Sequence, residues 1–373
     1  MRRYWQRRPL LVRQALPDLP APIAATALFA LAQRDEVESR LVTAFNGWRL
    51  QHGPIARRHI PPLGKARWTL LVQGVDLHDD GAAELLARFR FIADARLDDL
   101  MVSYASDGGG VGPHIDEYDV FLLQARGRRR WRIGKGDPRD LVPGLPLKVL
   151  RRFKPQHEWV LEPGDLLYLP PGVAHEGTAV GGDCITCSIG FRALAWGELV
   201  EPWLDTMARV PARAGRYTDP GAAPTRRPAL LPAALTEAAF AALAHTRPTR
   251  ANAQATLLTF LSEPKANVVF KRPRHALSPA ALRIAAGARG LRLDRRTRML
   301  YAGKSIAING ELIDVRHTTS ENRKLMRALA DQRELQPPSV AAPGAAPWDT
   351  FTQWYAAGWL RLAPPTPGRL RQA

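Results

Sequence analysis

The feature that most constrains the fold is the residue pattern between about residues 98 and 195. Short runs rich in β-branched, aromatic and leucine residues alternate there with turns that contain glycine or proline. LMVSYAS is followed by DGGGVGP, DVFLLQ and WRIG, and later by LEPGDLLYLPPGVAHEG and CITCSIGFRA. Many short strands separated by regular turn signals are typical of a β-sandwich or a small β-barrel. We therefore expect a β-rich domain here.

The residues before this segment are expected to belong to the same domain, 1–195. Their apolar spacing predicts a helix near 24–34, a strand near 68–72 and a second helix over 82–97. The basic start and the apolar run 21–32 faintly resemble a signal peptide, but prolines interrupt them, so we interpret the run as a surface helix. No stretch approaches the ~20 apolar residues of a membrane span, so no membrane association is expected.

The rest of the chain divides into two further predicted domains. Ala- and Leu-rich runs predict a helical region over 196–255, which includes a loop at about 211–224. The third domain is 256–373. It is expected to contain strands over GLRLDRRTRMLYAG and SIAINGELI with an Asn309-Gly310 turn, a helix over NRKLMRALADQREL, a connector at 337–347, a helix around 348–360 and a disordered tail after Pro364.

Composition narrows the class of protein and its partners. A hydrophobic content of 46% over 373 residues fits a globular protein of two or three domains. The balance of 53 Lys and Arg against 35 Asp and Glu favours acidic partners such as nucleic acid or ribonucleoprotein, unless a general bias toward arginine explains it. Only Cys184 and Cys187 are present, which excludes a disulfide framework and fits the cytoplasm. On a strand they face opposite sides, so we interpret them as ordinary thiols.

One motif in the β-rich segment, GGGVGPHIDEYDVFLLQ, carries the candidate chemistry. His114 and Asp116 are two residues apart, so their side chains point to the same side of an extended segment. His175 follows 61 residues later, in PPGVAHEG. Two imidazoles and one carboxylate on one side of a metal leave coordination positions open, as in non-haem iron(II) oxygenases. The alternative is that all three are polar residues satisfied within turns.

An arginine-rich run, RRRWRI at 128–133, follows the motif. On a strand, Arg129 shares a face with Trp131 and Ile133, whereas the other three arginines share the opposite face. The face of Arg129 is otherwise apolar and is expected to point inward, where a guanidinium needs an anion. A bidentate arginine suits a carboxylate of a cosubstrate, although an internal salt bridge to a protein acid would serve as well.

These stretches resemble the JmjC-type bacterial ribosomal oxygenases, which hydroxylate an arginine of a large-subunit ribosomal protein at its β-carbon. The resemblance is carried by WQRRPLLVRQA, GGGVGPHIDEYDVFLLQARGRRRWRIG, LEPGDLLYLPPGVAHEG and SIGFRA, and is thinner beyond residue 195, in RYTDP, FLSEP and INGE. It implies an α+β protein: a double-stranded β-helix (cupin/JmjC) core, a helical dimerisation region over 196–255 and a winged-helix-like C-terminal domain.

The resemblance also implies roles for residues, carried over by position. His114, Asp116 and His175 match the iron(II) ligands, and Arg129 matches the residue that binds the distal carboxylate of 2-oxoglutarate. Ser103 and Thr186 fall near positions that contact this cosubstrate, although the family more often has Asn in place of Thr186. Dioxygen is the third reactant. The implied partners are a large-subunit ribosomal protein and a second copy of the chain, with contact to RNA or the ribosome also open.

The substrate and the activity leave alternatives. An acid near the metal is expected to hold the substrate guanidinium, and Asp107, Glu117 and Asp119 are candidates by location. The chain could instead be an oxygenase of the same fold that acts on another side chain or demethylates lysine. A third hypothesis is a non-catalytic cupin attached to a nucleic-acid-binding winged helix. Gly303-Lys304-Ser305 does not predict a phosphate loop, because Arg298 stands where that motif needs glycine.

Overall fold

The structure, a computed structural model, describes residues 1–17, 19–209, 231–244, 249–314, 318–341 and 347–364. The predicted loop at about 211–224 and the tail after Pro364 lie outside these residues. The chain forms two compact units, Met1–Ala193 with Ala266–Val269, and Leu194–Lys265 with Phe270–Ala373. The three-part division drawn from the sequence, at 195 and 255, stays a prediction. No described helix is both long and apolar enough to span a membrane.

The first unit is built on a ten-stranded antiparallel sheet. Its strands are β1 (Leu10–Val12), β2 (Ser39–Thr43), β3 (Arg49–His52), β4 (Trp68–Val72), β5 (Leu97–Ala105), β6 (His114–Ile115), β7 (Val120–Lys135), β8 (Lys154–Leu161), β9 (Leu166–Leu169) and β10 (Ala174–Phe191). The order is β1-β9-β7-β10-β5-β4-β2-β3, and β6 and β8 pair with β10 and β7 from outside this path.

The two long strands, β7 and β10, belong to both halves of this curved sheet. The first part of β7 pairs with β9 and its second part with β8, while β10 lies along both parts. The register between β7 and β10 shifts on either side of Ile185, an irregularity of the kind that bends a strand. This arrangement confirms the double-stranded β-helix expected from the sequence.

Two short helices, α1 (Ala25–Leu31) and α2 (Asp80–Ala87), accompany the sheet. The helix expected over 82–97 was wrong in its extent, because α2 begins earlier and β5 already starts at Leu97. Phe89 and Ile92 lie in the intervening turns yet are buried, so their apolar spacing reflects contact with the core and not a continuing helix.

Two large apolar cores and a small cluster of Ala105, Ala179 and Cys184 fill the first unit. The larger core lies between the sheet and α1 and contains the packed rings of Phe29, Trp68 and Tyr104. The second core is formed by inward residues of β7, β8 and β9, including Trp131, Ile133 and Leu161. Trp131 and Ile133 share the face of Arg129, so the inward face predicted for this run is the observed one.

The second unit is mostly helical, with two small antiparallel sheets. Its helices are α3 (Trp196–Arg209), α4 (Ala233–Ala244), α5 (Arg250–Ser262), α6 (Pro279–Arg289), α7 (Ser320–Gln332), α8 (Pro337–Ala341) and α9 (Trp348–Ala357). Its strands are β11 (Leu291–Leu293), β12 (Met299–Ala302), β13 (Ser305–Ile308), β14 (Glu311–Leu312), β15 (Glu334–Leu335) and β16 (Leu360–Leu362). The α+β class is confirmed, and the likeness to a winged helix stays a prediction.

The ends of two predicted helices differ from expectation for a local reason. α7 ends at Gln332 because Arg333 has a φ of +62°, after which Glu334 and Leu335 pair with β11. In the same way α9 ends at Ala357 before Gly358, which has a φ of +82°. The expected connector at 337–347 begins with a short helix, α8. Gly303 lies in the turn of the β12–β13 hairpin, so the Gly303-Lys304-Ser305 sequence does not form a phosphate loop.

Candidate active site

Strand pairing brings the three predicted donors together. His114 in β6 lies directly opposite His175 at the start of β10. Asp116 follows β6, and its backbone carbonyl accepts a 2.9 Å hydrogen bond from the N–H of Gly172, in the turn that precedes β10. Gly112 has a φ of +81°, a conformation that favours glycine in the turn before His114. Residues 61 positions apart in sequence are thereby neighbours.

The geometry of these side chains fits a shared metal ion. One ligand atom from each of His114, Asp116 and His175 lies within 4.8 Å of the others. The Asp116 carboxylate oxygens are 3.7 Å from Nε2 of His114 and 3.6 Å from Nε2 of His175. The two imidazole centroids are 4.2 Å apart. All three donors therefore face one small volume.

Backbone hydrogen bonds fix which imidazole nitrogen faces that volume. Nδ1 of His114 lies 3.0 Å from the carbonyl oxygen of Gly112, and Nδ1 of His175 lies 2.9 Å from that of Val173. A carbonyl accepts only from a protonated nitrogen, so each Nδ1 carries a proton and Nε2 is the nitrogen that faces the other donors. Orientation of a metal-binding histidine by such a bond is common in metal sites.

Electrostatics keep His175 neutral. Burial and the neighbouring His114 lower the pKa of His175 to about 4, against the opposing effect of Asp116. A lowered pKa means that the imidazole is uncharged at neutral pH, and a neutral imidazole is the form that binds a metal. Near this site the phenol of Tyr118 donates a hydrogen bond to Asp116, and burial together with that carboxylate raises the pKa of Tyr118.

The predicted inward arginine is buried without a carboxylate. Arg129 is only 4% exposed, and no acidic side chain of the described residues forms an ion pair with it. Its Nε atom is buried with no hydrogen-bond partner. Burial lowers the pKa of Arg129. The internal salt bridge considered from the sequence is therefore not seen, and the guanidinium has capacity for an anion.

Ser103 and Thr186 reach this arginine. They lie opposite each other on β5 and β10, and each hydroxyl oxygen accepts a 3.2 Å hydrogen bond from Nη1 of Arg129. Nη2 of Arg129 donates to the carbonyl of Gly177 at 3.3 Å. The structure thus gathers Arg129, Ser103 and Thr186 into one polar cluster, which we call the arginine cluster.

A tryptophan lies between the arginine cluster and the three donors. The Trp131 ring is 5.3 Å from the Arg129 guanidinium carbon and 5.9 Å from the His175 ring. Gly177 leaves the room for this packing, since a Cβ there would lie 2.7 Å from the Trp131 ring and 2.8 Å from Nε of Arg129. The sequence predicted Trp131 on the inner face, but not its packing between Arg129 and His175. It also did not predict the hydrogen bond from Tyr118 to Asp116. The two-residue spacing from Asp116 was the signal for Tyr118.

The three candidate acids for a substrate fare differently. Asp119 is fully buried, accepts a 2.6 Å hydrogen bond from the Tyr168 hydroxyl and also binds Gln6 and Arg96, so its expected place at the mouth of the site was wrong. Asp107 is exposed and accepts a hydrogen bond from the N–H of Gly181. Glu117 is exposed, one residue beyond Asp116.

Comparisons with known proteins find a described domain over the residues that form this site. A family model described as the JmjC domain matches residues 84–199, which include all three donors and Arg129. The chain is 40% identical over 231 residues to the ribosomal protein uL16 3-hydroxylase of Escherichia coli, an alignment that spans 61% of each sequence. It is 38% identical over 207 residues to a probable ribosomal oxygenase of Haemophilus influenzae, covering 54% of this chain and 50% of that one.

Solved structures extend the similarity over nearly the full length. The ribosomal oxygenase YcfD of Escherichia coli superposes with a TM-score of 0.82 and 30% identity, over 97% of this chain and 96% of that one. Another structure of YcfD, in complex with cobalt and 2-oxoglutarate, gives the same TM-score and identity over 97% of each chain. The curated sequence matches, in contrast, span less than two thirds of those relatives' own lengths.

Proposed function

Because the chain belongs to the JmjC-domain ribosomal oxygenases, we propose that it is an iron(II)- and 2-oxoglutarate-dependent hydroxylase acting on an arginine of a large-subunit ribosomal protein. The observation that carries this proposal is the convergence of His114, Asp116 and His175 next to a buried guanidinium that lacks a protein carboxylate. The similar Escherichia coli protein is named as a hydroxylase of ribosomal protein uL16. We infer a substrate of the same class for this chain.

The donor set suits iron(II). Two imidazole nitrogens and one carboxylate oxygen on one side of the ion would form the facial arrangement that leaves positions for two further reactants. The backbone bonds at Gly112 and Val173 aim both Nε2 atoms at that ion. We assign the metal to His114, Asp116 and His175.

The arginine cluster suits the distal carboxylate of 2-oxoglutarate. Three of the five guanidinium N–H groups bind Ser103, Thr186 and Gly177, and the partnerless Nε is among those that remain. A buried positive charge without an anion is costly, and a bound carboxylate would offset that cost. We assign Arg129 to the cosubstrate, with Ser103 and Thr186 holding its guanidinium.

When bound, iron, 2-oxoglutarate and dioxygen supply the oxidation that puts one oxygen atom into a C–H bond, with release of succinate and carbon dioxide. The chain's own residues bind and orient these groups and exclude water. Trp131 packs between the arginine cluster and His175, which keeps that side of the site apolar. The exposed acids Asp107 and Glu117 are the candidates to hold the substrate guanidinium.

Turnover assays separate this proposal from the two alternatives. Purified protein with iron(II) and 2-oxoglutarate is expected to form succinate and to add one oxygen atom to the target arginine of a uL16-type peptide, as read by mass spectrometry. The matched control is the same peptide with lysine in place of that arginine. Formaldehyde from methyl-lysine peptides would favour a demethylase instead. Metal binding with no turnover on any ribosomal protein would overturn the proposed function.

We further propose that the protein acts as a homodimer through its helical region. α3 carries Trp196, Val200 and Leu204 at four-residue spacing, hence on one face, and they are 86%, 51% and 60% exposed in the single chain. Phe240 on α4 is 66% exposed. A second copy of the same helices is the occupant that would cover such a face.

RNA contact is proposed for the second unit on the basis of charge. Residues 270–364 hold 16 Lys and Arg but only 7 Asp and Glu, a net +9 that is half of the chain's +18. Lys271, Arg272 and Arg274 are exposed and lie in a short segment without regular secondary structure, the basic segment. None of the three has an ion-pair partner among the described residues. We place the protein in the cytoplasm, where ribosomal proteins and RNA meet.

A further inference from the structure

A glutamine outside the predicted site is joined to the arginine cluster. Gln124 is fully buried on β7, where the register with β10 shifts and Ala125 is left without a partner strand residue. Its Nε2 lies 2.8 Å from the carbonyl oxygen of Arg126, 3.2 Å from that of Gly127 and 3.4 Å from Sγ of Cys184. Its Oε1 lies 3.0 Å from Oγ1 of Thr186.

The chemistry of these partners fixes the orientation of the Gln124 amide. Carbonyl oxygens can only accept, so the end of the amide that faces Arg126 and Gly127 must be the NH₂ group. A flipped amide would set its own oxygen against two carbonyl oxygens. Oε1 therefore faces Thr186 and can only accept the proton of its hydroxyl.

The Thr186 hydroxyl is thereby fixed as an acceptor toward Arg129. A threonine hydroxyl has one proton, and here Gln124 receives it. The remaining lone pairs of Oγ1 face Nη1 of Arg129 at 3.2 Å. Ser103 also accepts from Nη1 and directs its own proton to the backbone carbonyl of Thr186 at 3.4 Å. Both hydroxyl oxygens therefore accept from the guanidinium, and each hydroxyl proton is already used in a hydrogen bond to the protein.

We propose that Gln124 is a positioning residue for 2-oxoglutarate: it links the irregular part of β7 to Thr186 and so holds Arg129 in the orientation that binds the distal carboxylate. This inference rests on the proposed function. A glutamine that only satisfied the carbonyls of Arg126 and Gly127 would affect stability without a selective effect on cosubstrate affinity, which makes the two roles separable.

The test measures binding of 2-oxoglutarate to the cobalt(II)-loaded full-length protein by calorimetry, without turnover. Gln124→Leu removes the link and also leaves two buried carbonyls unsatisfied, so its folding is checked by melting temperature. Thr186→Val breaks the Gln124–Thr186–Arg129 link and leaves the buried Oε1 of Gln124 without its donor, but it spares the bonds to Arg126 and Gly127. Its folding is checked in the same way. Gln156→Leu, at an exposed glutamine on β8, is the matched control.

We expect Thr186→Val and Gln124→Leu each to weaken 2-oxoglutarate binding about tenfold, roughly the loss of one hydrogen bond, with cobalt affinity unchanged. Thr186→Ser is expected to recover most of the affinity. The double variant Gln124→Leu with Thr186→Val is expected to bind no more weakly than the weaker single variant, since both substitutions break the same series of hydrogen bonds. Wild-type affinity in folded Gln124→Leu, or losses that add, would overturn the inference. Failure of the wild-type protein to bind 2-oxoglutarate would overturn the proposed function with it.

Discussion

At the scale of single residues, the site depends on which atoms are left without protein partners. Nε of Arg129 has no hydrogen-bond partner, and the two imidazole Nε2 atoms face one small volume together with the Asp116 carboxylate, which also accepts a hydrogen bond from Tyr118. Spacing in the sequence indicated the side chains, but only the carbonyls of Gly112 and Val173 decide which nitrogen of each imidazole is available.

Asp116→Asn replaces an anionic metal ligand by a neutral amide of the same shape. We expect at least a roughly 100-fold loss of succinate formation together with weaker cobalt(II) binding, because changes even beyond the direct ligands cost 10–100-fold. Asp137→Asn, at an exposed carboxylate that pairs with its neighbour Arg139, is the control. Retention of wild-type metal affinity in Asp116→Asn would contradict the assigned ligand set.

Arg129→Lys keeps the charge but removes the planar donor set. The KM for 2-oxoglutarate is expected to rise about 10- to 100-fold, the equivalent of losing charged hydrogen bonds of ~1.5–3 kcal/mol, with a smaller effect on kcat. Arg130→Lys, one residue along β7 and exposed, is expected to leave both constants unchanged. Steady-state kinetics with varied 2-oxoglutarate makes the comparison, and equal effects of the two substitutions would exclude the role given to Arg129.

At the scale of elements, β10 carries His175, Gly177 and Thr186 and so connects the metal ligands to the arginine cluster. The length of β10 makes this connection possible, because its first residues pair with β6, which carries His114, and its later residues pair with β5, which carries Ser103. The tight packing at Gly177 is the part of this strand with the least tolerance for change.

Gly177→Ala is expected to lower both stability and 2-oxoglutarate affinity. The added Cβ would lie under 3 Å from the Trp131 ring and from Nε of Arg129, so both must move, at a cost of ~1–3 kcal/mol in the free energy of unfolding. Gly182→Ala lies on the same strand, where a Cβ meets nothing within 4 Å, and serves as the control. Denaturant unfolding and calorimetry check the pair, and equal stability of the two variants would count against this packing.

The exposed face of α3 makes a second prediction at this scale. Val200→Glu with Leu204→Glu places two charges on the face proposed for the dimer, where burying them without partners is unfavourable. We expect the mass measured by light scattering to fall from that of a dimer to that of a monomer. Phe91→Glu, at a 61% exposed apolar residue of the first unit, is the control. A double variant that stays dimeric would show that the interface lies elsewhere.

At the scale of the whole molecule, charge is distributed unevenly between the parts of the chain. Residues 1–193 carry 27 Lys and Arg against 22 Asp and Glu, a net +5, compared with the +9 of residues 270–364. The basic segment is held in place by its neighbours, since a side chain at Gly358 would lie 2.6 Å from the carbonyl oxygen of Lys271 and Phe270 packs against Trp359. A fixed row of cations is suited to a phosphate backbone.

Reversal of the basic segment, Lys271→Glu with Arg272→Glu and Arg274→Glu, is expected to weaken binding to single-stranded RNA. The slope of log K against log salt concentration should fall by roughly 2, at ~0.7 for each phosphate that the protein no longer neutralises. Arg34→Glu with Arg58→Glu and Arg88→Glu makes the same change in net charge on exposed residues of the first unit. Equal effects of the two triple variants, measured by fluorescence anisotropy, would mean that net charge alone decides RNA affinity.

The sequence by itself determined the β-rich core, the inward face of Arg129 and the pair His114 and Asp116, because alternation along a strand is a local property that needs no partner. It could not fix the extent of α2, since buried turn residues such as Phe89 imitate helical spacing. It also misplaced Asp119, whose burial follows from contacts with Gln6 and Tyr168, distant in sequence.

Only the tertiary structure decided which distant residues meet. The pairing of β6 with β10 brings His175 to His114, and the shift of register in β7 brings Gln124 to Thr186. Strand register sets both of these contacts. Register depends on the packing of the whole sheet, and no single segment of the sequence contains that information.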